Sequence, residues 1–198
     1  MPRKSLYPIS NIFINRWSSR AMSDEPISYE QVMVLFEAAR WAPSAYNEQP
    51  WRFIYTHKGS KLWSELIALM NQFNQGWAKN AAVLVVIISK NNFTRNTNPS
   101  GSKLSHTHTF DAGAAWMSLA LQGSISGLVV HAIADFDYDK AKTVLNMPSE
   151  FKIETMVAIA KQGKKENLSP ELQAREVPND RKPLNEIVFE DVFREPKS

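Results

Sequence analysis

No cysteine occurs in the 198 residues. That excludes disulfide scaffolds, thiolate metal centres and cysteine nucleophiles together, and it fits a cytoplasmic location. Glycine is scarce, at seven residues. Neither G-x-G-x-x-G nor G-x-x-x-x-G-K-[ST] is present, so the usual phosphate-cradling loops of dinucleotide and nucleoside-triphosphate proteins are missing. Long hydrophobic runs are lacking too. The longest, Ala81 to Ile88, has eight residues, far too few to span a bilayer, and the basic N-terminus shows no signal-peptide pattern. There is no G-x-S-x-G elbow, no H-E-x-x-H and no paired-carboxylate motif. His106 and His108 would share one face of a strand, but no third ligand is evident, so no metal is expected. Both are read instead as part of a loop or a helix start. His131 falls in a strand and is read as a packed, hydrogen-bonded histidine, with lining a pocket as its alternative role.

What is present is ordinary for a globular chain: 43% hydrophobic and 22% charged residues, enough for one domain with its own core. We take 1–198 as a single domain, with an N-terminal arm over 1–11, a candidate lid loop over 91–105 and a C-terminal tail over 164–198. Lys plus Arg number 23 against 20 Asp plus Glu, a net charge of +3. Arg3, Lys4, Arg16 and Arg20 crowd the start with no acid among them, and a second basic spot lies in the tail. Two such spots suit one anionic ligand gripped from both ends; for Arg3 and Lys4 a solvated surface is the preferred reading. A pI near 9.1 and six tryptophans also suit a nucleic-acid binder. Against that, Trp41, Trp51, Trp63 and Trp116 fall in helix or strand readings where core packing is the default.

Periodicity predicts a helix over Ser28–Trp41, with a Ser28/Gln31 capping box and Pro43 as its stop. It predicts a strand over Trp51–Thr56, an amphipathic helix over Ser60–Phe73, and a strand over Ala82–Ser89 that is apolar on both faces. After the polar loop Asn91–Ser105, expected to shape acceptor choice, comes a small-residue helix, His108–Ser126, that should be central or lie on a subunit interface. A strand over Leu128–Ala134, a short helix over Asp137–Leu145 and a strand over Glu154–Ala160 follow. The apolar, β-prone stretch Ile187–Phe193 should dock on its own sheet or on a partner. The sum is a mixed α/β protein with four or five strands.

Two motifs stand out. R-W-S-S-R at 16–20 offers two guanidinium forks and two hydroxyls, a good phosphate grip, or else an exposed basic loop. A-P-S-A-Y-N-E-Q-P-W-R-F at 42–53 carries Asn47 and Gln49, whose planar donor–acceptor pairs suit a heterocycle edge, or else ordinary turn residues. Two more follow, D-A-G-A-A at 111–115 and R-K-P-L at 181–184.

All four in this order resemble the FMN-dependent nitroreductase family over roughly residues 12–190. The resemblance implies an α+β fold with a central mixed, mostly antiparallel sheet flanked by helices. It implies an intertwined homodimer with FMN at the interface. Arg16, Trp17, Ser18 and Arg20 would hold the phosphate and ribityl chain. Arg181 would reach the phosphate, with Lys182 as helper. Pro43, Ser44, Ala45, Asn47 and Gln49 of the other subunit would line the flavin, Asn74 would contact the ring, and Ile133, Ala134 and Asp135 would pass close to its N5. The implied function is hydride transfer from NADH or NADPH through the flavin to a nitroaromatic, quinone or other small acceptor, with no nucleic-acid or membrane partner. The protein would then need no catalytic acid, base or nucleophile of its own. Three departures stand against the family pattern: Trp17 where Arg or His is common, Ala134-Asp135 where relatives have Glu-Gly, and Asn179 where a basic residue is frequent. Ala134-Asp135 is the feature that would favour the alternative, a flavin-binding or regulatory protein without turnover.

Overall fold

A computed structural model describes residues 3–93 and 103–194. Its centre is β2 (Val83–Lys90), which pairs antiparallel with β1 (Trp51–His57) on one side and β6 (Phe151–Lys161) on the other. β5 (Leu128–Ile133) closes the far edge, giving the order β1-β2-β6-β5 with every pairing antiparallel. The run that reads as apolar on both faces is therefore an inner strand covered on both sides.

Strand alternation divides the core in two. Val83, Val85 and Ile87 face α2 (Tyr29–Arg40) and the long α5 (His108–Ile125), with Val32, Leu35, Ala115 and Leu119 opposite. Leu84, Val86 and Ile88 face the other layer. It is built from α3 (Lys61–Leu69), α4 (Gln72–Ala78), α6 (Tyr138–Val144) and α7 (Pro170–Arg175), and contributes Leu66, Trp77, Ala141 and Leu172. Fully burying each such aliphatic side chain is worth about 1.5–3 kcal/mol. The result is an α+β domain with helices on both faces of an antiparallel sheet. A short α1 (Asn11–Asn15) precedes it, and a two-stranded ribbon, β3 (Asn92–Phe93) with β4 (Lys103–Leu104), stands beside it.

Two local features set the geometry. A bulge in β6 shifts the register between Ile87↔Thr155 and Ile88↔Ile153, so Glu154 is the extra residue. Its carboxylate accepts Ser89 Oγ–H at 2.5 Å and Thr109 Oγ1–H at 3.0 Å, tying the sheet to the start of α5. Gly123 lets α5 lie close on β5, since a Cβ there would sit 2.3 Å from Val130 Cγ2.

The capping box at Ser28 forms as expected. The helix expected over Ser60–Phe73 does not run through. Met70 is extended and bridges to Phe136, and Asn71 restarts the chain as the cap of α4, accepting the Asn74 N–H at 2.8 Å. A side-chain cap and a tertiary bridge here outweigh continuous helical periodicity. The tail stretch Ile187–Phe193 forms turns rather than a strand, and it is not docked on its own sheet: Val188 is 63% and Phe193 75% exposed. Trp41 is also outside the core, 74% exposed, its indole N–H donating to Glu37. Most of the candidate lid, residues 94–102, lies outside the described residues.

Candidate functional site

The residues that the sequence places at opposite ends of the chain meet in one cleft. Arg16, Trp17, Ser18 and Arg20 line it from the N-terminal segment, Asn179 and Arg181 from the tail, and His131 from β5, around about 130 Å³. Arg3 lines it too, which corrects the expectation of a solvated residue. Its guanidinium donates to the carbonyls of Asn15 and Arg16 at 3.3 and 3.2 Å. Lys4 and Lys182 instead face a neighbouring, more apolar cavity of about 480 Å³, which Arg181 also lines.

The electrostatics of this cleft lack a counterion. Burial, then the charges of Arg181 and Arg3, lower the Arg16 pKa from its ordinary value. Arg20 Nε is buried without an acceptor among the described residues. An anion with several acceptor oxygens matches such a set: the donors are planar forks, and the volume is that of a small group rather than a ring system.

His131 shows how the floor is made. Its ring stacks on Trp77 at 4.4 Å between centroids. Nδ1 lies 2.9 Å from the Ser19 carbonyl, so that nitrogen carries the proton. Burial first, with Arg20 and Arg16 adding to it, pushes the pKa down to about 4, partly offset by the Ser19 hydrogen bond and Glu176. The imidazole is neutral at pH 7, both packed and lining the cleft, so the two alternatives for it hold at once.

Further along β5, Ile133 is buried at 2% exposure, whereas Ala134 and Asp135 are exposed. Asn74, on α4, donates through Nδ2 to the Asp135 carbonyl at 3.4 Å and accepts from Trp77 Nε1 at 3.2 Å. Asn74 and the 133–135 segment are thus one constellation. At about 3.3 Å per residue it lies roughly 10 Å along the strand from His131.

The 43–49 segment is elsewhere. It leads into β1, the edge opposite β5, about 14 Å away across three strand spacings. Its backbone is held in unusual conformations, with positive φ at Tyr46, Asn47 and Gln49. Each costs roughly 1–3 kcal/mol, offset by local bonds. Ser44 Oγ accepts the Gln49 N–H at 2.9 Å, Gln49 Nε2 donates to Asn47, and Asp111 accepts the Ala45 N–H at 3.3 Å. Pro43, Ser44, Ala45, Asn47 and Gln49 are therefore not brought to the arginine cleft within one subunit.

Sequence reasoning missed Arg3, Glu176 and the role of Asp111. Arg3 carried a signal in the acid-free N-terminus. Glu176 carried none, being one acid among a charge-balanced tail.

The chain belongs to the nitroreductase family, whose model matches residues 14–163. Among solved structures it is similar to an oxidoreductase containing FMN. The two share 42% identity over 98% of this chain and 96% of that one, with a TM-score of 0.92. A nitroreductase family protein from Clostridium difficile shares the fold at 21% identity over 94% of this chain and all of that one, TM-score 0.71. Of curated proteins, the major NAD(P)H-flavin oxidoreductase of Aliivibrio fischeri is 31% identical over 93 residues. That match spans 46% of this chain and less than half, 43%, of the relative's length. No helix among the described residues is long and apolar enough to cross a membrane.

Proposed function

We propose that the protein is an FMN-dependent oxidoreductase that oxidises NADH or NADPH and reduces a small acceptor such as a quinone or nitroaromatic. The observation that carries this is the cleft of converging arginines with a buried, unpartnered Arg20 Nε, on the same strand as the exposed Ala134–Asp135 edge. Arg16, Ser18, Arg20 and Arg181 would hold the phosphate, with Arg3 added by the structure. The roughly 10 Å to residues 134–135 suits a ribityl chain. When bound, the flavin supplies the redox chemistry by accepting and releasing a hydride at N5.

In this reading the chain's own residues bind, orient and exclude water. Asn74 and the 133–135 segment flank the ring edge. Trp17 walls the phosphate end, and Lys182 stands outside it, facing the adjoining cavity. Pro43, Ser44, Ala45, Asn47 and Gln49 reach the site from a second copy, which their position on the far sheet edge requires. A homodimer is supported by the apolar surface that one subunit leaves open: Trp41 of α2, Phe110 and Ile125 of α5, and the tail residues Val188 and Phe193. The overall stoichiometry is NAD(P)H, a proton and a quinone giving NAD(P)⁺ and a hydroquinone.

The test is the absorption spectrum of the purified protein and chromatography of the released cofactor, then anaerobic addition of NADH and of NADPH. FMN that bleaches with either supports the reading. A colourless protein that cannot be reconstituted with FMN defeats it, and bound FMN that neither nicotinamide reduces turns it into a flavin-binding protein.

A further inference from the structure

We propose that Glu176 is a positioning residue for phosphate recognition: it fixes the backbone of residues 18–21 so that Arg16, Ser18 and Arg20 converge on one anion. The inference rests on the FMN reading above. The carboxylate is only 7% exposed, yet it forms no ion pair among the described residues. Instead it accepts Ser19 Oγ–H at 2.5 Å, the Arg20 N–H at 3.0 and 3.1 Å, and the Ala21 N–H at 2.9 Å. A residue of the tail thereby holds a segment more than 150 positions earlier in the chain.

The backbone bookkeeping of that segment shows what the carboxylate does. Ser19 C=O takes the His131 Nδ1–H, and Ala21 C=O takes Gln162 Nε2–H at 2.8 Å and the Gly163 N–H at 2.7 Å. The acceptor edge is thus served by the sheet. The donor edge, Arg20 N–H and Ala21 N–H, has Glu176 as its acceptor. Buried backbone donors need a partner, so the segment has one conformation while the carboxylate is present. In that conformation Ser19 is inward and buried, and its neighbours Ser18 and Arg20 line the cleft, as alternation in an extended chain requires. The Arg20 guanidinium is further located over the Phe73 ring, 5.6 Å from its centroid. Arg175, the residue before Glu176, stands 5.0 Å from the same ring.

Charge and position predict opposite signs here. Neutralising an acid beside a cationic cleft should, by Coulomb attraction alone, tighten an anion. Losing the acceptor of two buried N–H groups should loosen it, because a glutamine in that place offers one oxygen and turns an NH₂ toward the donors.

The experiment compares FMN with riboflavin, which lacks the phosphate, by flavin fluorescence titration of the wild-type protein, Glu176→Gln and Ser19→Ala. We expect Glu176→Gln to bind FMN roughly tenfold more weakly, the scale of one charge-assisted hydrogen bond, with riboflavin affinity changed less than about twofold. Ser19→Ala, which removes one donor to the carboxylate and leaves the rest, should show a smaller loss of the same kind and serves if the first variant does not fold. FMN binding that is unchanged or tighter overturns the proposal. So does an equal loss for both flavins, the mark of a merely structural role. A wild-type protein that binds neither flavin overturns the cofactor reading itself.

Discussion

Lowering the pH should destabilise this protein through His131, and the size can be worked from its surroundings. The imidazole is 8% exposed, stacked on Trp77, and its pKa falls from 6.5 to about 4. In the unfolded chain it takes up a proton as the pH drops below 6.5; in the folded chain it does so only near 4. The unfolded state thus binds more protons between these values, and stability must fall with pH across that window. Above pH 6.5 the contribution is fully present, and below 4 the loss is complete. A fall from 6.5 to about 4 corresponds to about 3 kcal/mol, a large share of a typical 5–15 kcal/mol stability. The assay is urea unfolding of the FMN-free protein at steps from pH 7.5 to 4, run beside His131→Gln. The variant keeps a donor near Ser19 but does not titrate, so other titrating groups cancel in the difference. The wild type should lose about 3 kcal/mol more than the variant over the range. Parallel curves for the two proteins, or an NMR titration placing His131 near 6.5, would refute the reasoning.

Three further outcomes are expected. Arg20→Ala or Arg181→Ala should weaken FMN roughly 10- to 100-fold, at about 1.5–3 kcal/mol per charge-assisted bond; wild-type affinity for both in a fluorescence titration would reject the grip. Arg3→Ala should weaken FMN while leaving riboflavin unchanged, and with a smaller factor than Arg20→Ala, since Arg3 also spends donors on the carbonyls of Asn15 and Arg16; an FMN-to-riboflavin preference equal to wild type would return Arg3 to the solvated surface. Gly163→Ala should destabilise by about 1–3 kcal/mol, because a Cβ there meets the Met22 backbone at 2.6 Å. Gly123→Ala should cost less than Gly163→Ala in thermal melts, its clash being with a side chain that can turn; the reverse order would contradict this.

Much of the architecture was legible in the chain alone, because it depends on local periodicity. The run Ala82–Ser89 reads as a strand buried on both faces and becomes β2. Ser28 and Gln31 read as a capping box, and both hydrogen bonds form. The family motifs also lie in continuous stretches and need no folding to be seen. What the sequence could not show depends on contacts between distant segments. The helix through Met70 is broken by a bridge to Phe136, 66 residues on, which no local window contains. The two basic ends of the chain are only a suggestion until β5 and the tail bring Arg3, Arg16, Arg20 and Arg181 around one cleft. Glu176 has no motif at all; it matters because folding leaves two backbone N–H groups beside it. Periodicity and capping are decided by neighbours along the chain, whereas burial and hydrogen-bond satisfaction are decided in space, and that is why the elements could be read from the sequence and the assembled site only from the tertiary structure.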